Sequence, residues 1–225
     1  GSNSYKISVF NNTVTNGVNG VSFESNDIVS SFNRISLFSG LGSSAFTVGG
    51  KNVVLNNETS SSNAYGIRLF AAANATIINS SIINSSYEDI DLLSSSGALL
   101  DTFFNNSKIS SFISTLVVNY SIRVNVTNSS GFGIAMANVN VSDSDGERVF
   151  DTITEASGLT NFFVATSFNQ TDFTTYNFTP HNFTASKTGF GTNSTNFSVN
   201  LPFQMFTLVL TPVDNTPPNI SNVSA

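Results

Sequence analysis

The first half of the chain alternates short apolar stretches with polar corners at a nearly constant spacing. Four of the stretches close on an asparagine, with steps of 22, 23 and 23 residues between Asn11, Asn33, Asn56 and Asn79. A second apolar landmark keeps the same register, centred on Val21, Phe46, Ile67 and Ile90. A repeat of about 23 residues with this pattern indicates units of two or three short strands.

A unit of this size cannot bury its apolar face alone. We therefore expect the units to stack as coils about 4.8 Å apart, with equivalent side chains forming ladders. At one corner we predict an asparagine ladder of Asn11, Asn33, Asn56 and Asn79, because asparagine bonds the turning backbone and tolerates left-handed geometry. The apolar columns then fill the interior of the stack.

Near Ser114 the repeat stops and longer alternating strands begin. From Tyr120 to Val126 every second residue is apolar, which is typical of a half-buried strand. The Asp-Ser-Asp-Gly segment at 143–146 predicts a hairpin turn. Further strands are predicted at 137–141, 148–154, 157–162, 182–187, 195–200 and 206–210. Strands joined by regular turns indicate a β-sandwich, so the whole chain is predicted to be all-β.

The Asn-ending strand, the polar corner and the Gly-Ile-x-Leu pattern at 66–69 resemble the pectate-lyase-like right-handed parallel β-helix. They are closest to the short-coil repeats of archaeal surface proteins and of periplasmic copper-binding-type proteins. The resemblance covers about residues 5–112 and implies about 4–5 coils. Copper does not carry over, because the chain has no cysteine and one histidine, and Met136 and Met205 lie far from the repeats.

The second half resembles the carboxypeptidase-regulatory-like sandwich, which is related to transthyretin-like and immunoglobulin-like domains. The similarity rests on Arg-Val-Asn-Val-Thr at 123–127, Ala-Asn-Val-Asn-Val at 137–141, Gly-Leu-Thr-Asn-Phe at 158–162 and Ala-Ser-Lys-Thr-Gly-Phe at 185–190. Such domains serve as spacers and adhesion modules, so the resemblance implies no catalytic residues here.

These resemblances predict three segments. A right-handed parallel β-helix is expected in residues 1–115 and a carboxypeptidase-regulatory-like sandwich in residues 116–212. Residues 213–225 contain two adjacent prolines, which forbid a helix and stiffen a joint. They are expected to form a linker and the start of a further immunoglobulin-like module.

Composition narrows the range of partners. With 8 Lys+Arg against 14 Asp+Glu the net charge is −6, and only 10% of residues are charged. Nucleic acids and anionic lipids both require clustered cations, so neither is an expected partner. There is no cysteine for a disulfide or a thiolate metal site. No stretch approaches the ~18 apolar residues that cross a membrane, so no insertion of this segment is expected.

Seventeen of the 31 asparagines lie in N-x-S/T sequons, more than composition alone gives. Alternation along strands explains some of them, since Asn-Phe-Thr fits an outward–inward–outward pattern. The density after residue 119 favours selection for N-glycosylation, which requires export. The candidate glycosylation sites are Asn119, Asn125, Asn140, Asn177, Asn182 and Asn196. The predicted location is therefore extracellular, at the cell surface.

Candidate chemistry in the repeats centres on Arg68 and Asp91, which stacking places on adjacent rungs. In a polysaccharide lyase, Asp91 and Glu88 would hold Ca²⁺ and Arg68 would abstract a proton. The alternative is an ion pair on an exposed sheet, contributing about 0–1 kcal/mol. Tyr65 and Tyr87 fall at nearly matching positions of adjacent coils, so they could form a two-ring platform for a saccharide.

The sequence offers two further candidate sites. Asp143, Asp145 and Glu147 could bind Ca²⁺ through clustered oxygens, although a hairpin turn is expected there in any case. His181 is the only histidine, so neither a His-based triad nor a multi-His metal site can form. It is expected to be an exposed loop residue.

The sequence therefore predicts a non-enzymatic structural and adhesive segment of a larger, N-glycosylated cell-surface protein of archaeal type. Its expected partners are other surface-protein modules or cell-surface glycans, and the only candidate cofactor is Ca²⁺. The alternative is a carbohydrate-binding or polysaccharide-cleaving β-helix protein.

Overall fold

The computed structural model describes residues 7–17, 20–36 and 43–213. These residues form β-strands and no helix, as the sequence predicts. The chain divides into two compact units, described separately: Gly1–Ile122 with Phe162–His181 and Ser198–Gln204, and Arg123–Asn161 with Asn182–Phe197 and Met205–Ala225. The predicted linker at 213–225 lies outside the described residues, apart from Val213.

The first unit contains a β-solenoid of about 5 turns, consistent with a parallel β-helix. Its strands form three parallel sheets. The first sheet contains β1 (Ile7–Phe10), β4 (Ile28–Ser31), β7 (Val54–Asn56), β10 (Ala75–Ile78) and β13 (Ser96–Leu100). The second contains β2 (Thr13–Thr15), β5 (Arg34–Ser36), β8 (Thr59–Ser61) and β11 (Ser81–Ile83). The third contains β3 (Val21–Phe23), β6 (Ser44–Val48), β9 (Tyr65–Phe70), β12 (Ile90–Leu93) and β14 (Ile109–Phe112).

The apolar landmark of the repeat is confirmed in the third sheet. Val21 pairs with Phe46, Phe46 with Ile67, and Ile67 with Ile90. Ile109 continues the column on the fifth coil. Phe46, Ile67 and Ile90 are completely buried. The column therefore forms part of the core inside the coils.

The predicted asparagine ladder is wrong in register at two of its four rungs. Ser31 pairs with Phe10 of the preceding coil and with Asn56 of the following coil, so these three residues are equivalent. Asn56 therefore lies within a strand, one residue before the corner, and Asn33 lies one residue after the corner. The corner column is instead Asn11, Phe32, Asn57, Asn79 and Asp101, all with φ between 49° and 60°. Asn33 lies outside the corner column, and its backbone N–H and side chain bond the buried carboxylate of Glu58.

Phe32 is the apolar member of this corner column, with φ at 59° and a 61% exposed surface. Left-handed geometry costs about 1–2 kcal/mol for most residues but is easily adopted by asparagine. Phe32→Asn is therefore expected to raise the free energy of unfolding by about 0.5–1 kcal/mol. Urea denaturation measures this gain. Phe70→Asn, at an exposed strand position, is the control and should give none; no gain from Phe32→Asn would contradict the argument.

The first sheet continues past the repeat. Its next strand is β15 (Thr115–Asn128), which pairs in parallel with β13 and antiparallel with β18 (Phe163–Thr171). The hairpin partner β19 (Thr174–Asn177) follows β18. Neither β18 nor β19 was predicted, and the strand predicted at 157–162 is instead a loop with one isolated bridge, from Leu159 to Asn125.

The second unit contains an antiparallel sheet in the order β17-β16-β20-β21. The bounds are β16 (Asn138–Ser142), β17 (Arg148–Ile153), β20 (His181–Ser186) and β21 (Asn193–Phe197). β22 (Gln204–Leu210) pairs with β15. Ring contacts at 4.8–5.3 Å join Phe183, Phe197 and Phe206. Phe183 is also the Cα partner of the buried Val141 on β16.

Candidate functional site

The outer face of the third solenoid sheet brings the predicted pair Arg68 and Asp91 together. The two residues are Cα partners on β9 and β12. Arg68 Nε donates to Asp91 Oδ2 at 2.9 Å, and their side chains are 36% and 17% exposed. The register that buries Ile67 against Ile90 determines this contact, since the next residue of each strand points to the opposite face.

Tyr65 and Tyr87, the residues of the predicted two-ring platform, also meet, and their rings stack. Their ring centroids lie 5.3 Å apart with planes inclined at 24°. The guanidinium carbon of Arg68 lies 4.5 Å from the centre of the Tyr65 ring. Tyr65 is half-buried and Tyr87 is 46% exposed, so Tyr87 has more ring surface open to a ligand.

A polar column runs across this face from coil to coil. The paired outward residues are Ser22, Thr47, Arg68, Asp91 and Ser110. Two hollows of about 280 and 300 Å³ open on it, and both are lined by Thr47 and Arg68. On one side stand the exposed apolar side chains of Phe70, Leu93 and Phe112. Polar groups along a groove with an apolar margin can hold an extended, hydroxyl-rich chain.

The three acidic residues at 88–91 have different surroundings. Asp89 is buried and its carboxylate accepts the backbone N–H of Asn105 at 2.9 Å and of Ser85 at 3.4 Å. Burial raises the pKa of Glu88, the negative charge of Asp91 raises it further, and Lys108 lowers it. In the described residues no three His, Cys, Asp or Glu side chains are grouped as a metal site. Arg68, the proposed base, is thus bound to Asp91, which is one of the two proposed Ca²⁺ ligands.

The Asp143 segment forms the predicted hairpin turn between β16 and β17. Asp143 Oδ1 accepts the backbone N–H of Asp145 at 3.0 Å and of Glu147 at 2.9 Å. Gly146 adopts φ 85°, which glycine accommodates without strain. One carboxylate oxygen of the candidate Ca²⁺ site thus accepts the hydrogen bonds that close the turn.

The candidate glycosylation sites differ in exposure. Asn140, Asn177 and Asn196 are exposed, whereas Asn119, Asn125 and Asn182 are half-buried. Asn119 Oδ1 accepts the hydroxyl of Thr166 at 2.9 Å. Asn182 Nδ2, the atom that a glycan would use, donates to Asn196 Oδ1 at 2.8 Å. The exposed asparagines are therefore the most accessible acceptors.

The expectation of an exposed His181 is wrong. His181 is the first residue of β20 and is completely buried. The segment begins the alternation that also buries Phe183 and Ala185, so its position in a strand places the imidazole inside.

A buried polar cluster inside the solenoid was missed. The Glu58 carboxylate accepts the Ser30 hydroxyl at 2.6 Å, the Asn33 backbone N–H at 2.8 Å and Asn33 Nδ2 at 3.1 Å. Glu58 and Asn33 are each 1% exposed. Burial raises the pKa of Glu58, and the three hydrogen bonds partly oppose that rise. The sequence signal for this cluster is Glu58, a charged residue directly after the corner residue Asn57. The predicted ladder placed the corner at Asn56, so this signal was not recognised.

No protein-family model matches this sequence, and no curated protein matches it. Among solved structures, the chain is similar to the Bacillus anthracis TIE protein, with 11% sequence identity and a TM-score of 0.31. The similarity covers 47% of this chain and 18% of that one, so less than a fifth of that protein is matched. At these values it assigns no family and no activity. None of the described residues forms a helix long and apolar enough to cross a membrane.

Proposed function

We propose that this chain is a non-enzymatic structural and adhesive module of a larger cell-surface protein. The observation that supports this best is that several ionisable groups of the solenoid are engaged in hydrogen bonds within it. Arg68 bonds Asp91, Asp89 caps backbone N–H groups, and Glu58 bonds Ser30 and Asn33 inside the coils. Groups engaged in this way stabilise the coils and are poorly placed for proton transfer.

The finer fold assignments belong to the same proposal. The Gly-Ile-x-Leu repeat at 66–69 supports a pectate-lyase-like, right-handed coil of archaeal surface type. The motifs at 123–127 and 137–141 support a carboxypeptidase-regulatory-like sandwich as the second domain. Modules of these kinds would act as spacers between other surface-protein modules or cell-surface glycans.

N-glycosylation at the cell surface is the third part of the proposal. The exposure of Asn140, Asn177 and Asn196 supports it, because a glycan must be attached at an accessible residue. Neutral Ser, Thr and Asn faces need no charge to stay hydrated, and attached glycans would shield them further. Peptide mass spectrometry of the protein from its natural host tests occupancy, and unmodified sequons throughout would remove this part.

A saccharide-binding surface is the second candidate function. The observation that favours it is the groove of the third sheet, where Arg68, Asp91 and Thr47 lie between the Tyr65–Tyr87 stack and an apolar margin. Charged and hydroxyl groups can bond sugar hydroxyls, and the exposed ring of Tyr87 can cover a sugar face. This candidate differs from the scaffold in requiring a ligand.

A glycan-array screen of neutral and uronate oligosaccharides, with and without Ca²⁺, separates the two. For the scaffold we expect no binding that depends on Arg68 and no cleavage of the oligosaccharides. Arg68→Ala and the matched control Arg148→Ala, which removes the exposed pair to Asp151 at 3.0 Å, should each cost about 0–1 kcal/mol of stability. Binding lost with Arg68→Ala but kept with Arg148→Ala would establish the saccharide site, and any cleavage would overturn the non-enzymatic proposal.

A further inference from the structure

The chain from Asn105 to Lys108 forms a turn that begins with an N-x-S/T sequon, Asn105-Asn106-Ser107. The backbone N–H of Lys108 donates to the carbonyl oxygen of Asn105 at 2.9 Å. The backbone N–H of Asn105 donates to Oδ2 of the buried Asp89 at 2.9 Å. Asn105 is therefore held at both of its main-chain polar groups, while the three residues of the sequon are exposed.

The side chain of Asn105 is fixed by the hydroxyl residue of its own sequon. Oδ1 accepts the backbone N–H of Ser107 at 3.0 Å and the Ser107 hydroxyl at 2.8 Å, which is an Asx turn. Because both hydrogen bonds go to the oxygen of the carboxamide, the nitrogen is directed away from Ser107. Nδ2 is thus the polar atom of Asn105 that is left for a glycan, and the residue is exposed.

Other sequons use the same nitrogen inside the protein. In several of those that the structure describes, Nδ2 donates to a neighbouring oxygen at 2.8–3.4 Å: Asn57 to Asn56, Asn74 to Asn52, Asn182 to Asn196 and Asn193 to Val209. Asn128 forms an Asx turn with the backbone N–H of Ser130 but is half-buried. The sequon at Asn105 therefore combines an ordered turn, an exposed residue and an outward nitrogen.

An exposed phenylalanine lies beside this acceptor. Phe103 precedes Asn105 by two residues and is 51% exposed. Phe103, Asn105 and Ile83 line a hollow of about 200 Å³ beside β11. An aromatic ring can cover the apolar face of a pyranose ring. The first sugar of a glycan on Asn105 therefore has an apolar surface within reach.

We propose that Asn105 is an N-glycosylation site whose first sugar packs on Phe103. The co-reactant is an oligosaccharide on an isoprenoid phosphate or diphosphate carrier, which the host supplies together with a transferase. Nδ2 bonds to the anomeric carbon as the bond from that carbon to the phosphate oxygen breaks. The carrier leaves with the electron pair, and Nδ2 releases one proton. The inference rests on the glycosylation proposed above and adds to it a site and a contact for the sugar.

Transfer to the purified, folded chain in vitro tests the site. The chain is incubated with a lipid-linked oligosaccharide and a single-subunit oligosaccharyltransferase that requires only Asn-x-Ser/Thr, and peptide mass spectrometry follows each sequon over time. The matched control is Asn79, an exposed asparagine in a sequon that also ends in serine. Its Ser81 donates a backbone N–H to the carbonyl oxygen of Glu58 at 2.8 Å, so bending that sequon breaks a bond between coils.

Asn105 should be modified about fivefold faster than Asn79, because breaking one net hydrogen bond costs about 1 kcal/mol. Modification of Asn79 at the same rate as Asn105 would overturn the proposal. The comparison is made within one unmodified chain, so it does not depend on whether a variant folds.

Phe103→Ala tests the contact with the sugar and leaves the sequon intact. The parent species that carries one glycan at Asn105 should unfold at a higher urea concentration than the unmodified chain. This difference should be lost in Phe103→Ala and kept in Phe70→Ala, which removes a 58% exposed ring that does not line the hollow. A difference that is unchanged by Phe103→Ala would show that the sugar does not rest on this ring.

Peptide mass spectrometry of the protein from its natural host separates this inference from the broader proposal. A glycan at Asn105 supports both. Glycans at other sequons with Asn105 unmodified would overturn this inference alone, and a chain without any glycan would overturn both.

Discussion

Replacing Phe46 by alanine is expected to lower the free energy of unfolding of the solenoid by about 3–5 kcal/mol. Phe46 is completely buried on β6, between the paired positions Val21 and Ile67 of the neighbouring coils. Truncation removes the transfer free energy of the ring and leaves a cavity, which the stacked coils can close only in part. Urea denaturation followed by circular dichroism measures the change.

Phe70→Ala is the matched control for this substitution, because Phe70 ends the next strand of the same sheet but is 58% exposed. Its loss should change the free energy of unfolding by about 0.5 kcal/mol or less. If the two alanine variants were equally stable, the register that places Phe46 in the core would be wrong.

Replacing Glu58 by alanine is expected to lower the free energy of unfolding by about 2–4 kcal/mol. The substitution leaves the Ser30 hydroxyl and the Asn33 backbone N–H without their acceptor inside the solenoid, and each buried unsatisfied group costs about 1–3 kcal/mol. Glu155→Ala, at an exposed position, should stay within about 0.5 kcal/mol of the parent. Glu58→Gln keeps an acceptor oxygen and should be less damaging than Glu58→Ala.

Glu58 makes the free energy of unfolding depend on pH in a definite direction. Burial raises its pKa above the ordinary value of 4.5, so over the interval above that value the folded chain holds a proton that the unfolded chain has released. The stabilisation that comes from the protonated Glu58 side chain is complete below about pH 4.5, and it is lost as the pH rises through the raised pKa. Relative to Glu58→Gln, the parent should therefore lose stability as the pH rises over this window. A parent that gains stability relative to Glu58→Gln as the pH rises would refute the assignment.

Several features of the fold follow from the sequence because they depend on spacing alone. A repeat of about 23 residues aligns Ile67 with Ile90, and the two-residue period of a strand then places Arg68 beside Asp91 on the opposite face. The meeting of Tyr65 and Tyr87 follows from the same spacing, and so does the all-β class. The turn at Asp143 follows from local chemistry. None of these depends on knowing the neighbouring element in advance.

The asparagine ladder and the strands β18 and β19 depended on the tertiary structure. A left-handed corner can be occupied by Phe32 when the next residue, Asn33, is needed inside to bond Glu58, and matching asparagines by spacing cannot reveal that requirement. Residues 163–171 form a strand because β15 offers them an edge, and their pairing joins segments about 50 residues apart. The sequence alone determined which apolar positions repeat and that Arg68 and Asp91 share the face opposite Ile67 and Ile90, because periodicity is local. The tertiary structure decided the corner register and the continuation of the first sheet, because both depend on hydrogen-bond partners distant in the chain.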